Sequence, residues 1–207
     1  MSVANPALKP PPYCETALKE WAGVCCTLAS GRQSILLRKG GIAEPAGRFT
    51  PSRPWFWLCP TSLHQGQQGL IEDPTLVPPP SPDTSTSGVL VGVAGVRWIS
   101  NLEELLELTD LHVWTEETVR KRFDYKRPGT WLMLVRAHVG TLAQGITQPP
   151  EFAGCSSWVT LPAPLTTDGL RPVLNDHDFQ RLLDRLGPFP SDPTRPTTAD
   201  PSDEPRF

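Results

Sequence analysis

The 207-residue sequence has no long apolar run. Its most hydrophobic stretch, Gly88 to Val96 (GVLVGVAGV), has nine residues, about half of the roughly 20 that a membrane-spanning helix needs, so no membrane partner is expected. The opening residues, MSVANPALKPPPYCETALKEW, lack the basic start and unbroken apolar core of a secretory signal because proline interrupts them repeatedly. No export is expected, which gives a cytoplasmic location. An excess of one charge is also missing. Lys and Arg number 19 against 22 Asp and Glu, a formal net charge of -3, so nothing in bulk marks a coat for nucleic acid or an anionic bilayer. The five cysteines, Cys14, Cys25, Cys26, Cys59 and Cys155, are odd in number, contain no C-x-x-C pair and include two adjacent residues that cannot easily share one zinc tetrahedron. A disulfide framework and a structural zinc site are therefore not expected, and neighbours such as Val24 and Leu58 fit buried thiols in a reducing compartment. The 16 glycines follow no three-residue period, which excludes collagen.

Proline is abundant instead, 25 residues against an average usage of about 5%. It gathers at Pro6 to Pro12, at Pro74 to Pro82 and at Pro188 to Pro205, leaving an ordinary load elsewhere. Residues 1–12 and the tail 188–207 combine proline with polar residues and few aliphatic side chains, a composition that cannot offset ordering entropy, so both are expected to be disordered. The stretch 72–88 reads as an extended loop inside the body. The blocks it separates are small apart, so 13–187 is expected to form one α+β domain with a mixed or antiparallel sheet and two or three packed helices.

Within that domain, Trp21 to Leu28 and Ser34 to Arg38 read as a hairpin through Ala29 to Gln33. Further strands are expected at Trp55 to Cys59, Val89 to Trp98, Trp131 to Val139 and Ser157 to Leu161. Asn101, with Glu104 in a capping-box position, opens one helix and Thr115 a second. Phe179, Leu182, Leu183 and Leu186 lie at i, i+3, i+4 and i+7 and stop at Gly187-Pro188, predicting a third helix docked on the sheet.

The chemistry-bearing residues collect after predicted strands. Arg38-Lys39-Gly40-Gly41 places two cations beside paired glycines whose N–H groups can converge on a phosphate, though without the spacing of a Walker loop. Thr61, His64 and Gln65 follow the third strand, where they can contact the rest of a nucleotide or a nucleic-acid end. The cations Arg120, Lys121, Arg122, Lys126 and Arg127, with Tyr125 and Trp131 for stacking, form the densest basic stretch, but Glu116 and Glu117 in the first turn complete an arrangement that the helix dipole also favours. Asp124-Tyr125-Lys126 with Asp110 matches part of a Mg²⁺-dependent nuclease signature. Cys155-Ser156-Ser157 offers nucleophiles that His64 or His138 could activate, yet no G-x-S-x-G elbow surrounds them. Trp55 and Trp57 are candidates for an exposed aromatic face that binds a protein partner. No catalytic residue, cofactor or metal is assigned.

Several blocks occur together: ALKEW at 17–21, ILLRKGGI at 35–42, FWLCPT at 56–61 with His64-Gln65, and Gly154-Cys155 with Ser157-Trp158-Val159. In this order they resemble DUF1802, a family of bacterial domains of unknown function, over about Ala17 to Leu186. The resemblance implies a link to restriction and modification but assigns no catalytic residue and no substrate. The predicted opening hairpin ending in Leu-Leu-Arg-Lys-Gly-Gly also looks like the start of a Nudix-type sheet whose catalytic box is missing. Ligand binding without turnover is the leading expectation, with a nuclease or restriction-linked accessory protein and a protein-interaction scaffold as alternatives.

Overall fold

The computed structural model describes residues 8–39, 53–61, 69–71, 88–140 and 156–189. Its elements run β1 (Tyr13–Trp21), α1 (Ala22–Ala29), β2 (Ile35–Arg38), β3 (Trp55–Thr61), β4 (Val89–Ile99), α2 (Leu102–Leu106), a 3-10 turn (Thr109–Leu111), α3 (Glu116–Asp124), β5 (Thr130–Val139), β6 (Trp158–Thr166), β7 (Arg171–Pro172) and α4 (Asp176–Leu186). The strands form one mixed seven-stranded sheet in the order β2-β5-β4-β3-β1-β6, with β7 on β5. Among the described residues only β1 and β3 pair in parallel; the other pairs are antiparallel. This is the expected α+β architecture. β4 and β5 are buried along almost their whole length, as strands covered on both faces must be. β6 is largely exposed, pairs only with β1 and carries Pro162 and Pro164, which a central strand could not accommodate.

Period-two alternation sends side chains to two cores. Leu18, Phe56, Leu58, Val89 and Val91 enter the larger one with Phe179, Leu183 and Leu186 of α4. Ala17, Trp57, Cys59 and Leu90 enter a smaller cluster on the other side with Cys14 and Leu161. The helix caps follow the sequence. Asn101 accepts from Glu103 N–H at 3.0 Å, Thr115 from Thr118 N–H at 3.3 Å, and Asn175 from Asp178 N–H at 2.8 Å. Glu104 does not complete a capping box with Asn101; its carboxylate is held by Arg97 on β4.

The opening hairpin is not formed. The segment AGVCCTLA is helix α1, so β1 and β2 are joined by a helix and β2 pairs with β5. A short apolar run is buried equally well as strand or helix, and periodicity alone does not separate them. Here Gly31, at φ 75°, turns the chain out of α1, and its N–H donates to Leu28 O at 3.2 Å. The Nudix-type opening therefore has no counterpart. The aromatic face is corrected as well: Trp57 is 0% exposed with Nε1–H donating to Cys14 O at 3.0 Å, and Trp55 packs against the His138 ring at 5.4 Å. At the N-terminal margin, the carbonyls of Pro11 and Pro12 accept from the hydroxyl and the N–H of Thr167, tying residues at the proposed boundary to the body.

Candidate functional site

β1 and β3 run in the same direction, so their C-terminal ends lie side by side, with Glu20 opposite Pro60 and Trp21 opposite Thr61. Arg38, the last residue of β2, reaches the same place. Its Nη1 lies 2.9 Å from Oε2 of Glu20, a carboxylate only 2% exposed whose other oxygen accepts from Trp21 N–H at 2.9 Å. Two of the sequence-predicted residues, Arg38 and Thr61, are thus brought to one end of the sheet. Gly40, Gly41, His64 and Gln65 lie outside the described residues.

A second guanidinium joins from α3. Arg122 lies over the Trp21 ring at 4.3 Å and the Trp114 ring at 4.9 Å, and its Nη1 donates to Leu37 O at 2.8 Å. Burial pulls its pKa down to about 10; Glu20 opposes that shift and the neighbouring charge of Arg38 adds to it. His112 sits beside Trp114, ring centroids 5.3 Å apart, and is 4% exposed with no hydrogen-bond partner at either ring nitrogen. Burial, then the charge of Arg122, lowers its pKa to about 4, so it is neutral at physiological pH. Two guanidiniums and one carboxylate thus lie together at the strand ends, with Arg122 set against two indole faces.

Lys39 faces elsewhere. Its Nζ donates to the carbonyls of Phe123 and Arg127 and, at 2.5 Å, of Gly129, clasping the turn that follows α3. Burial and then Arg127 lower its pKa to about 8, with Asp124 opposing. Gly129, at φ 113°, lies so close to the Trp98 indole that a β-carbon would collide with it.

Other sequence-derived candidates separate. Arg120 and Lys121 pair with Glu116 and Glu117 one helical turn back, and Trp131 is buried, which removes it as a stacking surface. Asp110 is held by both terminal nitrogens of Arg185, at 2.5 and 2.7 Å, which keeps its carboxyl below the usual range. Among the described residues no three His, Cys, Asp or Glu side chains are grouped to hold a metal ion. Cys14, Cys25 and Cys59 are buried free thiols whose pKa values burial raises, Cys59 to about 11. Cys26 is exposed. Cys155 lies outside the described residues, and the Ser156 hydroxyl donates to Trp158 O at 2.8 Å. His138 is buried, with Nδ1 3.2 Å from Arg136 O. No helix among the described residues is long and apolar enough to cross a membrane.

The family model described as a domain of unknown function, DUF1802, matches residues 17–185. The chain belongs to that family. The match runs from Ala17 within β1 through nearly all of α4 and includes every described side chain of the strand-end site. No curated protein matches. Among solved structures, the chain is similar to ASCH from Zymomonas mobilis, with 10% identity, a TM-score of 0.41, and coverage of 82% of this chain and 94% of that one. A Tyr-to-Phe variant of the same protein gives 13% identity, a TM-score of 0.41, and 71% and 89% coverage.

The sequence pattern alone does not single out Glu20, Trp21, Trp114, His112 or the inward course of Arg122. Two signals were present. Glu20 falls two residues after Leu18, on the core-facing parity of β1, where a charge is out of place. Arg122 falls three residues after Val119 on the buried stripe of α3.

Proposed function

We propose that this DUF1802 chain is a cytoplasmic domain that binds a phosphorylated ligand, a nucleotide or a nucleic-acid end, without turnover. The observation that carries this reading is the approach of Arg38 and Arg122 to Glu20 at the C-terminal ends of β1, β2 and β3, with Arg122 over the Trp21 and Trp114 rings. Guanidiniums offer forked donors to phosphate. Thr61, beside Trp21, supplies a hydroxyl at the same edge. Lys39 stiffens the neighbouring turn, while Gly40 and Gly41 after β2 and His64 and Gln65 after β3 supply the remaining contacts in this proposal. Buried free thiols fit the reducing compartment.

The test is a thermal-shift screen of the intact chain against nucleotides and short 5′-phosphorylated strands, with and without Mg²⁺, alongside chromatography of the ligand after incubation. A ligand at 100 times its Kd stabilises by about 2.7 kcal/mol, roughly 5 to 10 °C for a domain of this size. A shift lost in Arg38→Ala and His64→Ala, with the ligand recovered intact, is the expected result. The absence of any shift would retire the phosphate site, and Mg²⁺-dependent conversion of the ligand would replace binding with catalysis.

A further inference from the structure

The turn after α3 is built unlike the other turns of the molecule. Lys126 adopts φ 63°, the one positive φ at a non-glycine among the described residues, a conformation that costs free energy and persists only where its surroundings enforce it. Those surroundings are explicit. Arg127 N–H donates to Tyr125 O at 2.8 Å, Gly129 N–H donates to Phe123 O at 3.1 Å, and the Lys39 ammonium gathers the carbonyls of Phe123, Arg127 and Gly129 from beneath. With its carbonyls drawn inward, the turn holds side chains outward on a fixed backbone. Tyr125 is 46% exposed, one of three large apolar side chains so exposed among the described residues, and the Lys126 ammonium lies 5.3 Å from the centre of its ring. Next to this pair the Arg127 guanidinium lies over the Trp98 ring at 4.6 Å. Along the chain the turn adjoins the strand-end site, Lys39 following Arg38 and Phe123 following Arg122.

Resting on the proposed phosphate site, we infer that its ligand is a single-stranded polynucleotide end, with the Tyr125-Lys126 turn as the platform for the nucleotides next to the one at Arg38 and Arg122. Consecutive aromatic and cationic side chains on a rigid turn complement a strand that alternates stacking bases with phosphates. A mononucleotide would leave this platform unused, and a duplex would hide its base faces from Tyr125. The strain at Lys126 then serves recognition: it fixes the ring and the ammonium before the strand arrives.

The experiment measures fluorescence anisotropy of the intact chain with a 5′-phosphorylated single strand of about ten nucleotides, as RNA and as DNA. The competitors are the matching duplex and a 5′-mononucleotide. The single strand is expected to bind at least tenfold tighter than the mononucleotide. Tyr125→Ala should weaken the strand roughly tenfold and leave the mononucleotide unchanged, whereas Arg38→Ala weakens both. Lys126→Gly should raise the thermal midpoint, because glycine accepts the positive φ, while lowering strand affinity; it thereby separates recognition from folding. Mononucleotide binding with no gain for the strand, equal binding of the duplex, or strand binding indifferent to Tyr125→Ala and Lys126→Gly would each overturn the platform while leaving the phosphate site standing. Binding of neither ligand would overturn both.

Discussion

Two of the arginines that stand over aromatic rings, Arg136 and Arg122, each have a histidine nearby, and they differ in the charges around them. Arg136 of β5 lies over the Phe179 ring of α4 at 5.1 Å, donates to Leu174 O at 3.1 Å and pairs at 2.5 Å with Asp176 in the first turn of that helix. Each contact pins α4 to the sheet, and the carboxylate sits where the helix dipole welcomes it. Arg122 lies over Trp21 and Trp114; burial lowers its pKa, Glu20 opposes that, and a second guanidinium, Arg38, adds to it. The accompanying histidines follow suit. His138 has Arg136 O within 3.2 Å, whereas neither nitrogen of His112 has a partner. A buried cation matched to one carboxylate across two elements is a fastener. Arg38 and Arg122 instead stand near a single carboxylate, Glu20, so two cations face one anion there.

Acid is the strongest lever on this pair. His112 and His138 both have folded pKa values of about 4 against an ordinary 6.5, so between those values the unfolded chain takes up protons that the fold refuses. Stability is full above pH 6.5 and is lost as pH falls toward 4, by about 2 kcal/mol for each histidine at pH 4.5. Urea midpoints at pH 7 and 4.5 measure the loss. Saturating phosphorylated ligand should reduce it in His138→Phe, where His112 remains beside the bound anion, and not in His112→Phe. Next in size, Arg136→Met should cost about 2 to 3 kcal/mol in denaturant unfolding and leave ligand affinity unchanged. Glu20→Gln should cost about 1 to 2 kcal/mol of stability, since it weakens a charge-assisted bond. By removing the carboxylate that competes for Arg38, it should also tighten phosphate binding about threefold or more by titration calorimetry. Smallest of all, Tyr125→Ala should leave stability within about 0.5 kcal/mol.

The sheet strands were legible where composition left one reading. GVLVGVAGV and WLMLVRAHV are apolar runs of strand length that formed buried strands, and the i, i+3, i+4, i+7 stripe of α4 formed a docked helix. Helix α1 was not legible, because its short run of Ala, Gly, Val, Cys, Thr and Leu, buried at six of eight positions, carries no clear period. The site was half legible. Arg38 and Thr61 announced themselves by standing at strand ends, but their proximity depends on the parallel β1–β3 pairing, a non-local register that no short pattern encodes. For Lys39, the sequence identified a cation next to glycines and could not show that three carbonyls 84 to 90 residues away would occupy it. Trp57 misled for the opposite reason: an indole in a strand reads equally well as surface anchor or core, and its N–H found a carbonyl 43 residues distant.

The most direct test is titration calorimetry of the intact chain with a 5′-phosphorylated mononucleotide, comparing the native sequence with Arg38→Ala and Arg136→Met. One binding event per chain, weakened at least tenfold by Arg38→Ala and untouched by Arg136→Met in the folded protein, is the expected outcome. Equal affinity in Arg38→Ala, or no heat of binding to the native chain, would contradict a phosphate site at the strand ends.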